Sequence, residues 1–527
     1  MRKWLPLTAV CLGAFMLLVD VTIVTLALPD MARSLHTSFA DLQWVMDIYA
    51  LALAALLLGA GSLADLAGRR KVYLAGLVLF SVASLACGLA TGPAVLIAFR
   101  GLQGIGGAAM YATTMALLNS SYQGRDRGIA FGVWGAVSGA AAAAGPVLGG
   151  LLTQHLDWRW IFYVNLPVSA LAVFVTVRYV GESRNPHAKG VDLPGLATFT
   201  LAAGAVTYAL IRGGDNGWTS TTTLGLFALG ALALPAFVLV ERRSSRPMLD
   251  LALFRRASFV GIMLGGLLLS GAASCYVVYA SLWLQSVRGM GPVTAGLVFL
   301  PMSVGSLLAS AAAGRLLHGA SPQLTIGVGM LLIGTGALLQ AMVDAGSTWT
   351  ALLPGLALAG VGMGLAGPSL AATAMASVPT ERGGMAAGAV STSRQLGNAL
   401  GIAVLGAVFQ DKVLAALRAS AGAVRDPKAT ADALTGGRAA AVIARTAPEH
   451  RAAVSQLVHE VFAAGLRQIF LVAGAMGLVG GAIVLLLVRR PPAPAPAGQG
   501  GGAGTSGPQE ACPSVTPRRS SSVPGTR

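Results

Sequence analysis

The chain has 527 residues, 55% of them hydrophobic and only 11% charged, with a formal net charge of +16 and a mean hydropathy of +0.72. An ordinary soluble domain carries roughly 25% charged residues. A water-soluble core cannot absorb this much apolar surface, whereas lipid-facing helices need no polar side, so the composition excludes a soluble enzyme, and the scatter of Lys and Arg between apolar runs gives no basic face for nucleic acid.

Apolar runs of spanning length lie near residues 5–28, 44–64, 72–91, 94–118, 128–152, 160–180, 192–211, 221–240, 258–285, 294–314, 322–343, 350–376, 385–410 and 465–488, which predicts fourteen transmembrane helices. Met1-Arg2-Lys3 before the first run has the outline of a cleaved leader. That run is long enough to cross ~30 Å of hydrocarbon, however, and similar runs follow it, so it reads as a permanent first span. With the N-terminus in the cytoplasm, the short inward connections carry Arg69, Arg70, Lys71, Arg125, Arg127, Arg184, Lys189, Arg242, Arg243, Arg246, Arg255, Arg256, Arg315 and Arg382. The short outward ones carry only Arg33, Arg159, Arg212 and Arg288. The positive-inside rule then places both termini in the cytoplasm of a cell whose cytoplasmic membrane the chain crosses.

Asp20 lies about two-thirds along the first run, in Leu18-Val19-Asp20-Val21-Thr22-Ile23-Val24. A carboxylate at such depth costs roughly 2.5 to 3.5 kcal/mol, which marks it as a functional candidate. A site that alternates between dry burial and contact with a cation can bind and release a proton; a structural carboxylate tying helices together is the alternative. Asp47, beside Trp44 and Tyr49 near the outer end of the second run, is a second acid, for which interfacial placement serves equally well. The connection Gly61-Ser62-Leu63-Ala64-Asp65-Leu66-Ala67-Gly68-Arg69-Arg70-Lys71 follows. Glycine permits a tight turn there, and Asp65 can meet either an arginine or the positive N-terminus of a helix. Gly61, Asp65, Gly68 and Arg69 are therefore candidates for a conformational latch, against the alternative of a solvated loop.

Arg100 in the fourth run shares the depth of Asp20, so the two are expected to pair, with snorkelling to the outer interface as the alternative. The fifth run holds Gly135, Gly139, Gly145-Pro146 and Gly149-Gly150. Small residues let helices approach closely, and Pro146 removes a ladder hydrogen bond and favours a kink. Runs seven and eight stand outside an internal repeat. An offset of 256 residues brings Gly104 onto Gly360, Gly106 onto Gly362, Gly145 onto Gly401 and Gly150 onto Gly406, all in runs four and five against runs twelve and thirteen. The repeat implies two pseudo-symmetric six-helix bundles, residues 1–181 and 257–490, with residues 182–256 supplying two inserted helices and a basic linker. Arg394, in run thirteen, aligns with Ser138 and is the one buried charge peculiar to the second half, which suits it to a cargo cavity. The connection 411–464 is long, charged on both signs, extracytoplasmic by the alternation, and spaced for surface helices. Residues 491–527, rich in Pro, Ala, Gly and Ser, read as a disordered cytoplasmic tail.

No Gly-x-x-x-x-Gly-Lys-Ser/Thr stretch occurs, so no nucleotide is expected as fuel. None of the six histidines falls in a run, and Cys11, Cys87, Cys275 and Cys512 have no metal or redox spacing. The expectation is a non-enzyme without cofactor or metal, monomeric, with the bilayer, protons and a small organic substrate as its partners.

These segments resemble the major facilitator superfamily, in its fourteen-helix drug:proton antiporter branch, across residues 5–490. Asp20-Val21-Thr22-Ile23-Val24-Thr25-Leu26-Ala27-Leu28-Pro29 is similar to that branch's first-helix signature, with Thr25 in place of the usual Asn. The Gly61 to Lys71 connection resembles its conformational-switch motif, and Arg100 to Gly107 its fourth-helix motif. Gly145-Pro146-Val147-Leu148-Gly149-Gly150 is similar to the antiporter motif of the fifth helix. Trp158 to Pro167 and Ser393-Arg394-Gln395-Leu396-Gly397 are likewise typical of the branch. The resemblance implies a proton site at Asp20, proton transfer through Arg100, and export of drugs or antibiotics by alternating access with resistance as its result. Dedicated export of a self-made antibiotic or other metabolite stays open, as does, more remotely, uptake by symport or a non-transporting sensor.

Overall fold

The computed structural model describes residues 2–489, apart from 38, 185–189, 191, 246, 317–320, 380–381, 421–425, 436 and 438; side chains at some further helix positions, Thr25, Pro146 and Arg315 among them, are also not described. Lys189, Arg246, Arg425 and the expected tail 491–527 therefore lie outside the described residues. Within them the chain is helical and contains no strand. Fourteen long helices run in order: α1 (Leu5–Ser34), α2 (Phe39–Ala67), α3 (Arg69–Gly88), α4 (Pro93–Ser121), α5 (Gly124–His155), α6 (Asn165–Tyr179), α7 (Leu193–Asn216), α8 (Thr221–Arg243), α9 (Ala257–Leu282), α10 (Leu300–Leu316), α11 (Pro322–Gln340), α12 (Leu353–Ala376), α13 (Gly383–Ala419) and α14 (Arg451–Leu487). Thirteen stretches of the described residues are long and apolar enough to cross a membrane. Helix α5, rich in glycine and alanine, is not among them, but its 32 residues are consistent with the expected fourteenth pass.

Local chemistry sets the helix starts. Pro93, Pro194 and Pro322 occupy first-turn positions, where a missing N–H costs nothing. Asp192 and Ser220 cap α7 and α8 by accepting from the N–H of Gly195 and Thr223. The connection 411–464, expected as a loop bearing surface helices, is in part an extension of its flanking spans. Helix α13 continues to Ala419, α14 starts at Arg451, and short helices Pro427–Thr435 and Ala439–Ala444 lie between. The spans stay paired there because Phe409 of α13 packs edge-on against Phe462 of α14, centroids 4.9 Å apart.

Packing repeats between the halves. Contacts α1 to α5, α2 to α4, α3 to α4, α1 to α6 and α3 to α6 recur as α9 to α13, α10 to α12, α11 to α12, α9 to α14 and α11 to α14, and the halves meet through α2 on α13 and α5 on α10. The fold is thus two pseudo-symmetric six-helix bundles. Helices α7 and α8 pair with each other, and α7 rests on α2 and α13 at their junction. The repeated glycines sit at matching close approaches. A Cβ at Gly104 would meet the Tyr49 carbonyl of α2 at 2.9 Å, and one at Gly360 would overlap the Met302 carbonyl just ahead of the same stretch of α10. Gly106 faces the Phe80 backbone of α3, as Gly362 faces Gly329 and Ile333 of α11. Without a hydrophobic force between helices in lipid, this backbone contact is what holds the bundle.

Gly362→Ala should therefore lower the melting temperature of the purified protein by an overpacking cost of about 1–3 kcal/mol. Gly367→Ala, in the same helix with nothing near its added methyl, should be neutral or slightly stabilising. Thermal unfolding of both variants in one detergent checks the contrast; equal melting temperatures would remove the packing explanation.

Candidate functional site

The residue with the strongest claim from sequence, Asp20, is fully buried in α1, and Arg100 of α4 is 1% exposed. Their side chains meet at 2.6 Å, Arg100 Nη1 donating to Asp20 Oδ2. Asp20 Oδ1 accepts from Gln103 Nε2 at 3.0 Å and from Asn165 Nδ2 at 3.1 Å. Arg100 also donates from Nε to the Val45 carbonyl of α2 at 3.0 Å and from Nη1 to Gln103 Oε1 at 2.9 Å, and its guanidinium lies 4.3 Å from the centroid of the Tyr49 ring. Ser84 of α3 closes the network: its hydroxyl accepts from Gln103 and Asn165 and donates to the Phe162 carbonyl. Two opposite charges are thereby removed from water with both carboxylate oxygens occupied, the condition under which a buried ion pair is tolerated.

Sequence reasoning singled out Asp20 and Arg100 but assigned no role to Gln103, Asn165, Ser84 or Tyr49. Gln103 had a legible signal, since it lies one turn after Arg100 on the same face. Asn165 had a weaker one, as a polar side chain at the start of an apolar span. Ser84 had none. The stretch Trp158 to Pro167 acts here by placing Asn165: Trp158 and Phe162 are buried, rings 6.2 Å apart and edge to face, and the turn they fix points Asn165 inward. Asp47 is partly buried near the start of α2, one turn from Trp44, whose ring lies under the Arg212 guanidinium of α7 at 4.8 Å.

A second site lies at the other end of α2, on the side of the bundle that carries Leu5. Asp65 Oδ1 accepts from Arg69 Nε at 3.0 Å and Nη2 at 2.8 Å, and from the backbone N–H of Gly384 at 2.9 Å; Oδ2 accepts from the N–H of Met385 at 2.9 Å. The carboxylate thus caps the N-terminus of α13, where the helix dipole favours negative charge, while an arginine one turn along its own connection holds it in place. The two possible partners of Asp65 are both engaged. Glycine makes the reach possible: a Cβ at Gly61 would overlap the Gly384 carbonyl, and one at Gly388 would meet the Leu57 carbonyl at 3.0 Å.

The adjoining turn is closed by a residue the sequence did not flag. Gly68 has φ +113, a conformation open to glycine, and a Cβ there would lie 2.7 Å from the Glu182 carboxylate. Glu182, just past α6, accepts from the N–H groups of Arg70 and Lys71 at 3.1 and 3.3 Å, and Arg69 N–H donates to the Ser183 carbonyl. One carboxylate therefore caps α13 and another caps α3 within the same turn.

The glycines of α5 face two ways. A Cβ at Gly145 would overlap Thr22, and one at Gly149 would lie 2.9 Å from the Ile23 carbonyl, so this side seats α1 two residues from Asp20. Gly135, Gly139 and Gly150 face Pro368, Ser306 and Val293 of the second half. Helix α5 runs without a break through Pro146, of which only the backbone place is described. Arg394 lies in α13, far from the Asp20 network in sequence and held by neither of the two sites above.

Residues 10–402 match the Major Facilitator Superfamily. The multidrug resistance protein Stp of Mycobacterium tuberculosis is 39% identical over 495 residues, 89% of each chain. The tetracenomycin C resistance and export protein of Streptomyces glaucescens is 35% identical over 93% of each chain. The puromycin resistance protein pur8 of Streptomyces alboniger is 36% identical over 84% of this chain and 88% of its own. Two solved structures share the fold: the human organic anion transporter MFSD10 (TM-score 0.61, 15% identity, 92% of this chain and 99% of that one) and the proton:xylose symporter XylE (TM-score 0.60, 12% identity, 93% and 96%). The chain is a multi-pass membrane transporter, not an enzyme, and belongs to the Major Facilitator Superfamily, in the branch that holds multidrug and antibiotic exporters.

Proposed function

We propose that this protein exports drugs or antibiotics across the cytoplasmic membrane in exchange for entering protons, by alternating access, and so confers resistance. The observation that carries the reading is Asp20: a carboxylate with no exposure, held by Arg100, Gln103 and Asn165. As a carboxylate it is bound by a cation and two amides. Protonated, it loses the attraction to Arg100, which keeps the Val45 carbonyl, Gln103 and the Tyr49 face. Proton uptake thus loosens α1 from α4 while leaving Arg100 housed on α2, and a proton taken up on one side and released on the other can be tied to a change in how these helices pack.

The Asp65 cap supports the second part of the cycle. Helices α2 and α13 belong to different halves, so a carboxylate of one seated on the N-terminus of the other latches the side of the bundle that carries Leu5. By the distribution of basic residues that side is cytoplasmic, with both termini there. Rocking to admit cargo from the cytoplasm or inner leaflet requires this cap to open. In this reading residues 1–181 handle the proton, 257–490 shape the cargo pocket, 182–256 brace their junction, and a single chain suffices. One proton entering across ~100 mV contributes ~2.3 kcal/mol, a concentration ratio of roughly fifty for a neutral cargo. Stp is named for multidrug resistance, whereas two other relatives are named for single antibiotics, so dedicated export of one antibiotic is a second reading. Susceptibility profiling of a host with and without the gene separates the two.

Asp20→Asn, inserted at normal levels, should abolish uphill drug accumulation in inverted vesicles energised by a proton gradient while leaving drug binding intact; sustained uphill transport by this variant would sink the proton assignment. Asp65→Ala leaves Arg69 and the α13 N-terminus without their buried partner, a loss of about 3–5 kcal/mol. Its transport rate should fall at least tenfold, and cytoplasm-side labelling of a cysteine placed between α2 and α13 should rise. An unchanged labelling rate would show that the cap is not a latch.

A further inference from the structure

Helix α13 carries a second polar cluster that proton exchange leaves unused. Arg394 lies about 16 Å along α13 from Gly383 at 1.5 Å per residue, deeper than its stem can carry the charge back to that surface by snorkelling. The stem borders Gly266 of α9 together with Leu370 of α12, so the side chain occupies the point where three helices of the second half converge. Its Nε is buried without a partner, and no ion pair joins it to a described acid. The sequence explains why. From Ala257 to Gln410 the only acids are Asp344, in the turn after α11, and Glu381, ahead of α13. Asp20, the acid at membrane depth in the first half, is bound to Arg100.

One neighbour shares the condition. Ser391, one turn before Arg394 on the same face, is 0% exposed, and its hydroxyl has no hydrogen-bond partner among the described residues, although helical serines commonly bond back to the preceding turn. The cluster therefore combines a cation with unused donors and has no acid to balance it. A guanidinium offers a planar fork of donors matched to a carboxylate or similar oxyanion, and an uncompensated charge within a span marks a functional site.

We propose that Arg394, with Ser391 one turn before it, is the anion-recognising part of the cargo site, and that the cargo class is amphiphiles presenting a carboxylate, phenolate or sulfonate on an apolar body. The proposal rests on the export reading but not on proton coupling, so it is tested by binding in the absence of any gradient. The full-length protein in phosphatidylcholine nanodiscs is titrated with fluorescein, an anion, and with rhodamine 6G, a cation on the same xanthene scaffold, by fluorescence anisotropy against empty discs. Wild type should bind fluorescein. Arg394→Gln should weaken it at least tenfold and leave rhodamine 6G within threefold, and Arg394→Lys, which keeps the charge, should stay nearer wild type than Arg394→Gln. Thermal unfolding of each variant shows that it is folded. The proposal is overturned by wild type showing no fluorescein binding above empty discs, by Arg394→Gln binding fluorescein as wild type does, or by folded Arg394→Gln losing both dyes equally. Displacement of fluorescein by added phosphatidylglycerol would assign the anion site to a lipid headgroup instead of cargo and overturn it as well. A failure of proton coupling is read separately, by Asp20→Asn in energised vesicles, and does not touch these titrations.

Discussion

A carboxylate and a guanidinium held 2.6 Å apart with almost no access to water impose conditions on every helix around them. Each charge left alone in hydrocarbon would cost several kcal/mol, and together they are tolerated only if their remaining donors and acceptors are met. The first half of the bundle is organised to meet them. Helix α2 offers the Val45 carbonyl and the Tyr49 face, α4 adds Gln103, the start of α6 brings Asn165, and α3 supplies Ser84 behind both amides. Five helices are thereby fixed by one pair. A change in the charge of Asp20 is felt by all of them, and this is why a single site can govern the packing of a whole half.

The junction between the halves obeys different physics. There the contact is backbone on backbone, allowed by Gly61, Gly384 and Gly388, and the electrostatic element is a helix dipole added to the buried Asp65–Arg69 pair. Asp65 binds two N–H groups of α13, and Glu182 does the same for α3 beside it. The two caps join a carboxylate to backbone N–H groups at a helix start, and Asp65 has Arg69 of its own half as a second partner. Separating α2 from α13 would therefore leave the Asp65 charge paired.

The two halves share a packing scheme and differ in charge. The repeated glycines Gly104 and Gly360, Gly106 and Gly362 seat equivalent helix pairs, so the scaffold is symmetric where only shape matters. The ionisable groups are not repeated. The first half balances its buried acid with a buried base, whereas no described acid pairs with Arg394 in the second. An evenly divided scaffold with unevenly divided charge is what the proposed division of labour between the halves rests on.

Composition and hydropathy determined the class and, through the spacing of glycines, the doubling of the bundle. These are one-dimensional properties: lipid selects apolar length, and close helix approach selects small residues wherever it occurs. The depth of Asp20 and Arg100 was likewise readable, because depth follows from counting along a span. The partners were not. Gln103 and Asn165 reach Asp20 across 83 and 145 residues of chain, and Glu182 reaches Arg70 across 112. A hydrogen bond needs its atoms placed within a few tenths of an ångström, and that placement is set by how several helices pack at once. Only the tertiary structure could also show that Arg394 Nε is buried without a partner among the described residues, since the isolation of a polar group is a property of everything around it and is written at no single position in the chain.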